Sequence, residues 1–239
     1  EITTQPKKGS IELGEDGKFV YTPAEGKKGK DYFGYRAIDA EGNRSQEATV
    51  IIRLVKNKSV SYVDMDGNAS YCSAVRLAQC GAFTGSQLGG EYYFEPEKTL
   101  SRGEFLSMCL CVTGADTLKG VVSTGFTDDG SIPDWQKAYV ASAVKDGVVK
   151  GRCSDGGVYF DAETTITRAE AGVMLSRLLR LSDVSYLDTG DAVPSWASQA
   201  AANLDACNIM SYTSADSAAL TRAEAADMLA AAMTILGRR

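Results

Sequence analysis

The chain has 239 residues and a mass of 25.4 kDa, enough for one or two domains, and its 44% hydrophobic and 23% charged residues place it among globular chains rather than disordered or collagen-like ones. It contains no histidine, which removes Ser-His-Asp and Cys-His nucleophilic sites and every His-ligated metal centre, so an enzyme here would have to run on carboxylates, lysine, tyrosine or thiols. The net charge of −6 is uneven: residues 1–57 carry ten Lys and Arg against nine Asp and Glu, residues 58–239 fifteen against twenty-two, and that acidic balance argues against a nucleic-acid partner.

No run of 18 apolar residues occurs, so no membrane span is expected. The opening EITTQPKKGS lacks the apolar stretch of a signal peptide, and a chain that begins with Glu reads as a piece of a longer protein. Residues 1–57 read as strand and turn. Ser10–Leu13, Lys18–Thr22, Asp31–Asp39 and Gln46–Leu54 are rich in Val, Ile, Tyr and Phe and are separated by Gly-containing turns. Three or four short strands bury little, so this β module is expected to be marginal by itself. Its wording resembles the second half of bacterial Ig-like and cadherin-like domains of surface proteins, which implies an extracellular spacer and names no ligand.

From residue 60 onward the strongest signal is an internal repeat. Three segments, Tyr62–Gly114, Phe126–Leu181 and Tyr186–Leu236, each open with an aromatic two residues before an Asp: Tyr62 with Asp64, Phe126 with Asp128, Tyr186 with Asp188. An aromatic follows at Tyr71, Trp135 and Trp196, and each segment then carries one phrase: Leu100-Ser101-Arg102-Gly103-Glu104, Ile166-Thr167-Arg168-Ala169-Glu170 and Leu220-Thr221-Arg222-Ala223-Glu224. The pattern predicts helix, loop, helix in each repeat. First helices are expected over 69–80, 133–146 and 194–207, with Pro133 and Pro194 in the first turn and Gly81, Gly147 and Asn208 as stops. Loops carrying Gly85, Gly151 and a Phe-Glu or Phe-Asp turn lead to second helices over 102–113, 168–180 and 222–236. The expected fold is mainly α with a small all-β N-terminal module, divided as 1–57, 58–115, 122–182 and 183–239, its six helices packed as a pseudo-threefold bundle because no single helix pair buries its own apolar face.

Ser or Thr followed three residues later by Glu is a capping box, so Ser101, Thr167 and Thr221 with Glu104, Glu170 and Glu224 read as structural caps. Capping does not need the arginine between them, and a positive charge in the first turn opposes the helix dipole. Arg102, Arg168 and Arg222 are therefore read as carboxylate-binding forks beside free helix N–H groups, or as ion-pair partners of Asp64, Asp128 and Asp188.

Together the aromatic-x-Asp openings, Trp in the first helix, Gly-Val-Val-Lys-Gly at 147–151 followed by Tyr159-Phe160, and Ile-Thr-Arg-Ala-Glu at 166–170 make residues 60–236 resemble three tandem S-layer homology repeats. That resemblance implies a pseudo-threefold bundle that holds bacterial surface proteins to the cell wall. It implies a secondary cell-wall polysaccharide ligand, typically with a pyruvylated N-acetylmannosamine, bound in grooves between repeats. By the resemblance Arg102, Arg168 and Arg222 meet the pyruvate carboxylate, and Asp64, Asp128, Asp188, Tyr71, Trp135, Trp196, Gly85 and Gly151 complete the grooves; for Trp135 and Trp196 core packing is an equal alternative. Repeat 3 has Met210-Ser211-Tyr212 where a Gly-containing loop is expected and lacks the Phe-x-Pro turn, so the site that depends on that loop is expected to be the weakest, with Arg222 at stake.

The implied module is non-catalytic, uses no cofactor or metal, and sits at the cell surface. A protein-interaction or self-assembling lattice role, docking other surface proteins or copies of itself, is the alternative. A glycan-cleaving carboxylate pair, Asp128 with Asp129 or Asp188 with Asp191, is a weaker candidate, since Asp beside Gly commonly forms turns. Asp64-Met65-Asp66-Gly67-Asn68 misses the EF-hand spacing and reads as a turn. The six cysteines lack paired CxxC motifs and read as free, buried thiols.

Overall fold

A computed structural model describes residues 1–14, 17–24, 26–54, 60–185, 193–211 and 217–237. The chain divides into two units, Glu1–Lys58 and Ser59–Arg239, and is mainly α with small β sheets.

In the first unit, β4 (Gly29–Tyr35) lies between β1 (Ile2–Thr4) and β5 (Ala48–Leu54), antiparallel to both, while β2 (Gly9–Leu13) and β3 (Phe19–Pro23) form a separate hairpin. The strand Ile2–Thr4 is additional to the four expected; three residues are too few for an alternating pattern to register. Phe33 is fully buried against the edge of Phe19, while Val20 and Ile51 remain mostly exposed, so the apolar core is thin. A polar contact supplements it. The buried carboxylate of Asp31 on β4 accepts the N–H groups of Lys7 at 2.9 Å and Lys8 at 2.7 Å and the Tyr21 hydroxyl at 2.8 Å, fastening the β2–β3 hairpin to the sheet. Burial alone would raise this carboxyl, but the donors outweigh it and hold Asp31 down at about 2.

Among the described residues the second unit has six α-helices: α1 (Tyr71–Cys80), α2 (Arg102–Thr113), α3 (Asp134–Lys145), α4 (Arg168–Leu179), α5 (Ser198–Ala206) and α6 (Arg222–Ile235). Pro133 is the N-cap of α3 rather than its first helical residue. Pro194 lies four residues ahead of α5, because its carbonyl accepts the Ala197 N–H in a separate turn at 2.8 Å. Between the helices of repeats 1 and 2, where loops were expected, stand two hairpins, β6 (Ser86–Leu88) with β7 (Glu91–Tyr93) and β8 (Arg152–Ser154) with β9 (Gly157–Tyr159). Gly89-Gly90 and Asp155-Gly156 turn them, all four at positive φ, as a tight two-residue hairpin requires.

The helices interleave. α1 of the first repeat packs on α6 of the third, α3 of the second on α2 of the first, and α5 of the third on α4 of the second. Ser70 donates to Asp227 at 2.7 Å, and Arg76 donates to the Ala230 carbonyl and the Thr234 hydroxyl, joining the α1 region to α6. At the centre the three repeated phrases form a closed ring of backbone bonds. The N–H of Leu100 donates to Leu220 O, that of Leu220 to Ile166 O, and that of Ile166 to Leu100 O, at 2.9–3.1 Å. All three side chains are buried, so each repeat completes its neighbour's core.

The cysteines are free, but only Cys109 is buried; Cys72, Cys80 and Cys153 are exposed and Cys111 and Cys207 half-buried, which corrects the expectation that all are core residues. Among the described residues no helix is long and apolar enough to cross a membrane.

Candidate functional site

Each repeated phrase forms a capping box. Ser101, Thr167 and Thr221 accept the N–H of Glu104, Glu170 and Glu224 at 3.3 Å, and the glutamates accept the caps' N–H groups in return at 2.9–3.1 Å. The N–H groups of the arginines are not free. Arg102 donates its N–H to Thr164 O, Arg168 to Ala218 O and Arg222 to Lys98 O, and the next residues Gly103 and Ala223 donate to Ala162 O and Pro96 O. Neighbouring repeats therefore supply the acceptors at the helix starts, and the expectation of an anion held by open helix N–H groups is corrected: any anion must be held by side chains.

The side chains pair around the same ring. Arg102 Nη1 lies 3.3 Å from Glu170, and Arg168 pairs with Glu224. A glutamate thus caps its own helix with one oxygen and holds the preceding repeat's arginine with the other. Arg222 breaks the sequence: it donates to Glu95 at 2.6 Å and to the Phe94 carbonyl at 3.0 Å, not to Glu104. The Nε atoms of all three arginines are buried without a partner.

The aspartates do other work. Asp64 accepts the N–H groups of Phe94 at 2.9 Å and Glu95 at 2.6 Å; Asp128 accepts those of Phe160 at 2.9 Å and Asp161 at 2.8 Å. Glu95 and Asp161 stand at φ 52° and 57°, so the aspartates hold a left-handed turn that seats Phe94 and Phe160 in the core. Neither aspartate has an ion pair with an arginine, which corrects that alternative for Asp64 and Asp128. Asp188, with its opening Tyr186 and Asp191, lies outside the described residues. Asp129, nominated beside Asp128 as a catalytic carboxylate, instead accepts from Thr124 and pairs with Lys137 at 3.1 Å; these contacts, the Thr124 N–H foremost, hold its carboxyl at about 2, far from what a proton donor needs.

A groove of about 410 Å³ opens at Arg102. It is lined by Lys150, Arg152 and Arg177 as well as Arg102, against the single lining carboxylate of Glu170, so it is locally basic in a unit that is acidic as a whole. Trp196 stands in its wall. Burial pushes the Arg102 guanidinium's pKa down, and Glu170 opposes this by attraction. Trp135 and Trp196 are 57% and 59% exposed, so neither is a core residue; Trp135 meets Tyr139 edge-on outside the groove, and Tyr71 packs half-buried against the core. Gly151 lies on the groove floor at φ +76°, where a Cβ would come within 2.5 Å of the Phe126 ring. Gly85 has the same conformation in repeat 1, where a Cβ would strike the Tyr93 carbonyl. Repeat 1's Gly103, where the others have Ala, is explained by the Gln136 amide packed over it.

Arg152 and Arg177 were not singled out from the sequence, while Glu95 and Asp161 were read only as turn residues and Lys150 only as part of the Gly-Val-Val-Lys-Gly phrase. The available signal was the Asp155-Gly156 hairpin turn, which pairs Arg152 with Tyr159 and so brings Arg152 within 2.7 Å of Asp161. The segment next to Arg168 is that of repeat 3, through Ala218 and Glu224; the expectation of a weak site at the Met210-Ser211-Tyr212 loop falls largely outside the described residues, which omit 212–216.

Residues 1–53 match the bacterial Ig domain family. Over 160 residues, 62% of this chain, the sequence is 28% identical to the surface-layer 125 kDa protein of Lysinibacillus sphaericus, covering 13% of that protein. It is 28% identical to exoglucanase XynX of Acetivibrio thermocellus over 148 residues, 59% of this chain and 13% of the enzyme. It is 27% identical to the amylopullulanase of Thermoanaerobacterium thermosulfurigenes over 147 residues, 58% of this chain and 8% of the enzyme. The chain thus matches only a small fraction of each relative's length, and one of the three is a surface-layer protein while two are enzymes.

Proposed function

We propose that the chain is a non-catalytic cell-wall anchoring module of a bacterial surface protein, and that residues 59–239 bind an acidic secondary cell-wall polysaccharide. The observation that carries this reading is the groove at Arg102: four cationic side chains against one carboxylate, beside an exposed tryptophan. A planar guanidinium pairs a carboxylate in two parallel bonds, and an indole face packs on a sugar ring's C–H groups, so this groove suits a carboxylated sugar such as a pyruvylated N-acetylmannosamine. The resemblance to S-layer homology repeats and the similarity to a surface-layer protein support the same reading.

The test is a pull-down with purified cell walls, before and after acid removal of the polysaccharide and its ketal groups, using wild-type chain and Arg102→Ala. Wild-type binding that disappears on stripping, and drops about 10- to 100-fold in the variant, is expected from the loss of a charge-assisted bond. Unchanged binding in both comparisons would move the reading to the second one favoured by the surface-layer similarity, self-assembly or docking between surface proteins, which size-exclusion chromatography of the chain alone then checks.

A further inference from the structure

We propose that the Arg222 position is a closed copy of the Arg102 groove, occupied by the chain's own Glu95 where an external carboxylate would otherwise sit. This rests on the carboxylate-binding reading of the arginines. Arg222 is nearly buried, with its guanidinium 4.9 Å from the Phe83 ring centre and its Nη1 donating to both Glu95 and the Phe94 carbonyl. Arg102 likewise lies over a ring, 5.5 Å from the Phe160 ring centre, and pairs with Glu170 at 3.3 Å, but its surroundings open into the groove.

Two residues account for the difference. The hairpins of repeats 1 and 2 have the same register: Ser86 pairs with Tyr93 as Arg152 pairs with Tyr159, and the turn residues Glu95 and Asp161 follow two positions later. In repeat 2, Arg152 captures Asp161 through Nε at 2.9 Å and Nη2 at 2.7 Å, and Arg102 pairs with Glu170. In repeat 1, Ser86 offers no such fork. Glu95, one methylene longer, reaches Arg222 instead, and Lys98 Nζ lies 3.1 Å from the same carboxylate oxygen. These partners, Lys98 first and Arg222 second, hold the Glu95 carboxyl below the usual carboxylate range, so it stays ionised.

A tethered carboxylate competes with an effective concentration of roughly millimolar or more, so a sugar that binds one arginine weakly is excluded from Arg222. Glu95 acts as a selectivity element. It restricts the number of sugars each chain can hold, and removing it adds a site.

The test compares wild type, Arg222→Ala, Glu95→Ala, the double variant Ser86→Arg with Glu95→Asp, which rebuilds the repeat 2 arrangement, and Glu95→Ala with Arg222→Ala. Calorimetric titration with the pyruvate ketal of N-acetylmannosamine is expected to give one more site per chain in Glu95→Ala and in Ser86→Arg with Glu95→Asp than in wild type, and the wild-type number in Arg222→Ala and in Glu95→Ala with Arg222→Ala. An unchanged site number in both opening variants, or a wild-type site that disappears with Arg222→Ala alone, would overturn the proposal. If no form of the chain binds the sugar, the anchoring reading falls by itself. The closure is then read from the Arg222 Nε–H resonance during titration with sodium pyruvate: a shift in Glu95→Ala but not in wild type supports it, and the same response in both contradicts it.

Discussion

Repeats 1 and 2 share an opening aromatic and aspartate, a hairpin, a left-handed turn and a capping box, yet one leaves an arginine's surroundings open and the other fills them. The backbone frame is the same in both; a fork at Arg152 against a hydroxyl at Ser86, and aspartate against glutamate two residues past the hairpin, decide the outcome. A repeat architecture thus fixes where a site can be, while single side chains outside the repeated phrase determine whether it is open.

The comparison breaks completely if the shared frame is lost. Ile166→Ala leaves a cavity at the centre of the ring and is expected to destabilise the helical unit by about 2–5 kcal/mol, abolishing the Arg102 groove and the Arg222 contact together; chemical denaturation followed by circular dichroism measures it. A smaller change separates the two repeats. Gly151→Ala puts a methyl against Phe126 and Val158 at positive φ and is expected to impair wall binding through the Arg102 groove, whereas Gly89→Ala, with nothing within 4 Å, costs only the strain of its φ of +60° and leaves binding intact. Sedimentation with cell walls distinguishes them.

The smallest expected effect concerns the β unit. Asp31 is held at about 2, below its ordinary value, so the stability it contributes is present above the ordinary carboxylate range and is lost as the pH falls toward 2. Melting the chain between pH 5 and 2 is expected to show the β signal weakening in that window, and Asp31→Asn should remove the dependence while lowering stability at neutral pH.

Helix positions and caps were legible in the sequence because their signals are local: Ser or Thr with Glu three residues on, Gly81 and Gly147 after the first helices, apolar faces at helical spacing. What was not legible is contact across repeats. Nothing near Arg102 announces Glu170, 68 positions away, and nothing near Asp64 announces the Phe94 and Glu95 N–H groups that it holds. The free helix N–H groups inferred at the arginines are taken up by carbonyls of other repeats, an arrangement that follows from packing alone. The strands beside Gly89-Gly90 and Asp155-Gly156 are three residues each, too short for alternation, so their turns were the only signal.

The central claim is that one arginine is open to an external carboxylate and its counterpart is not. Parallel binding isotherms of Arg102→Ala and Arg222→Ala to purified cell walls, each checked by thermal melting for an intact fold, test it directly. The account predicts that Arg102→Ala weakens binding about 10- to 100-fold while Arg222→Ala binds as wild type does. Equal losses in the two variants, or a loss in Arg222→Ala alone, would contradict it.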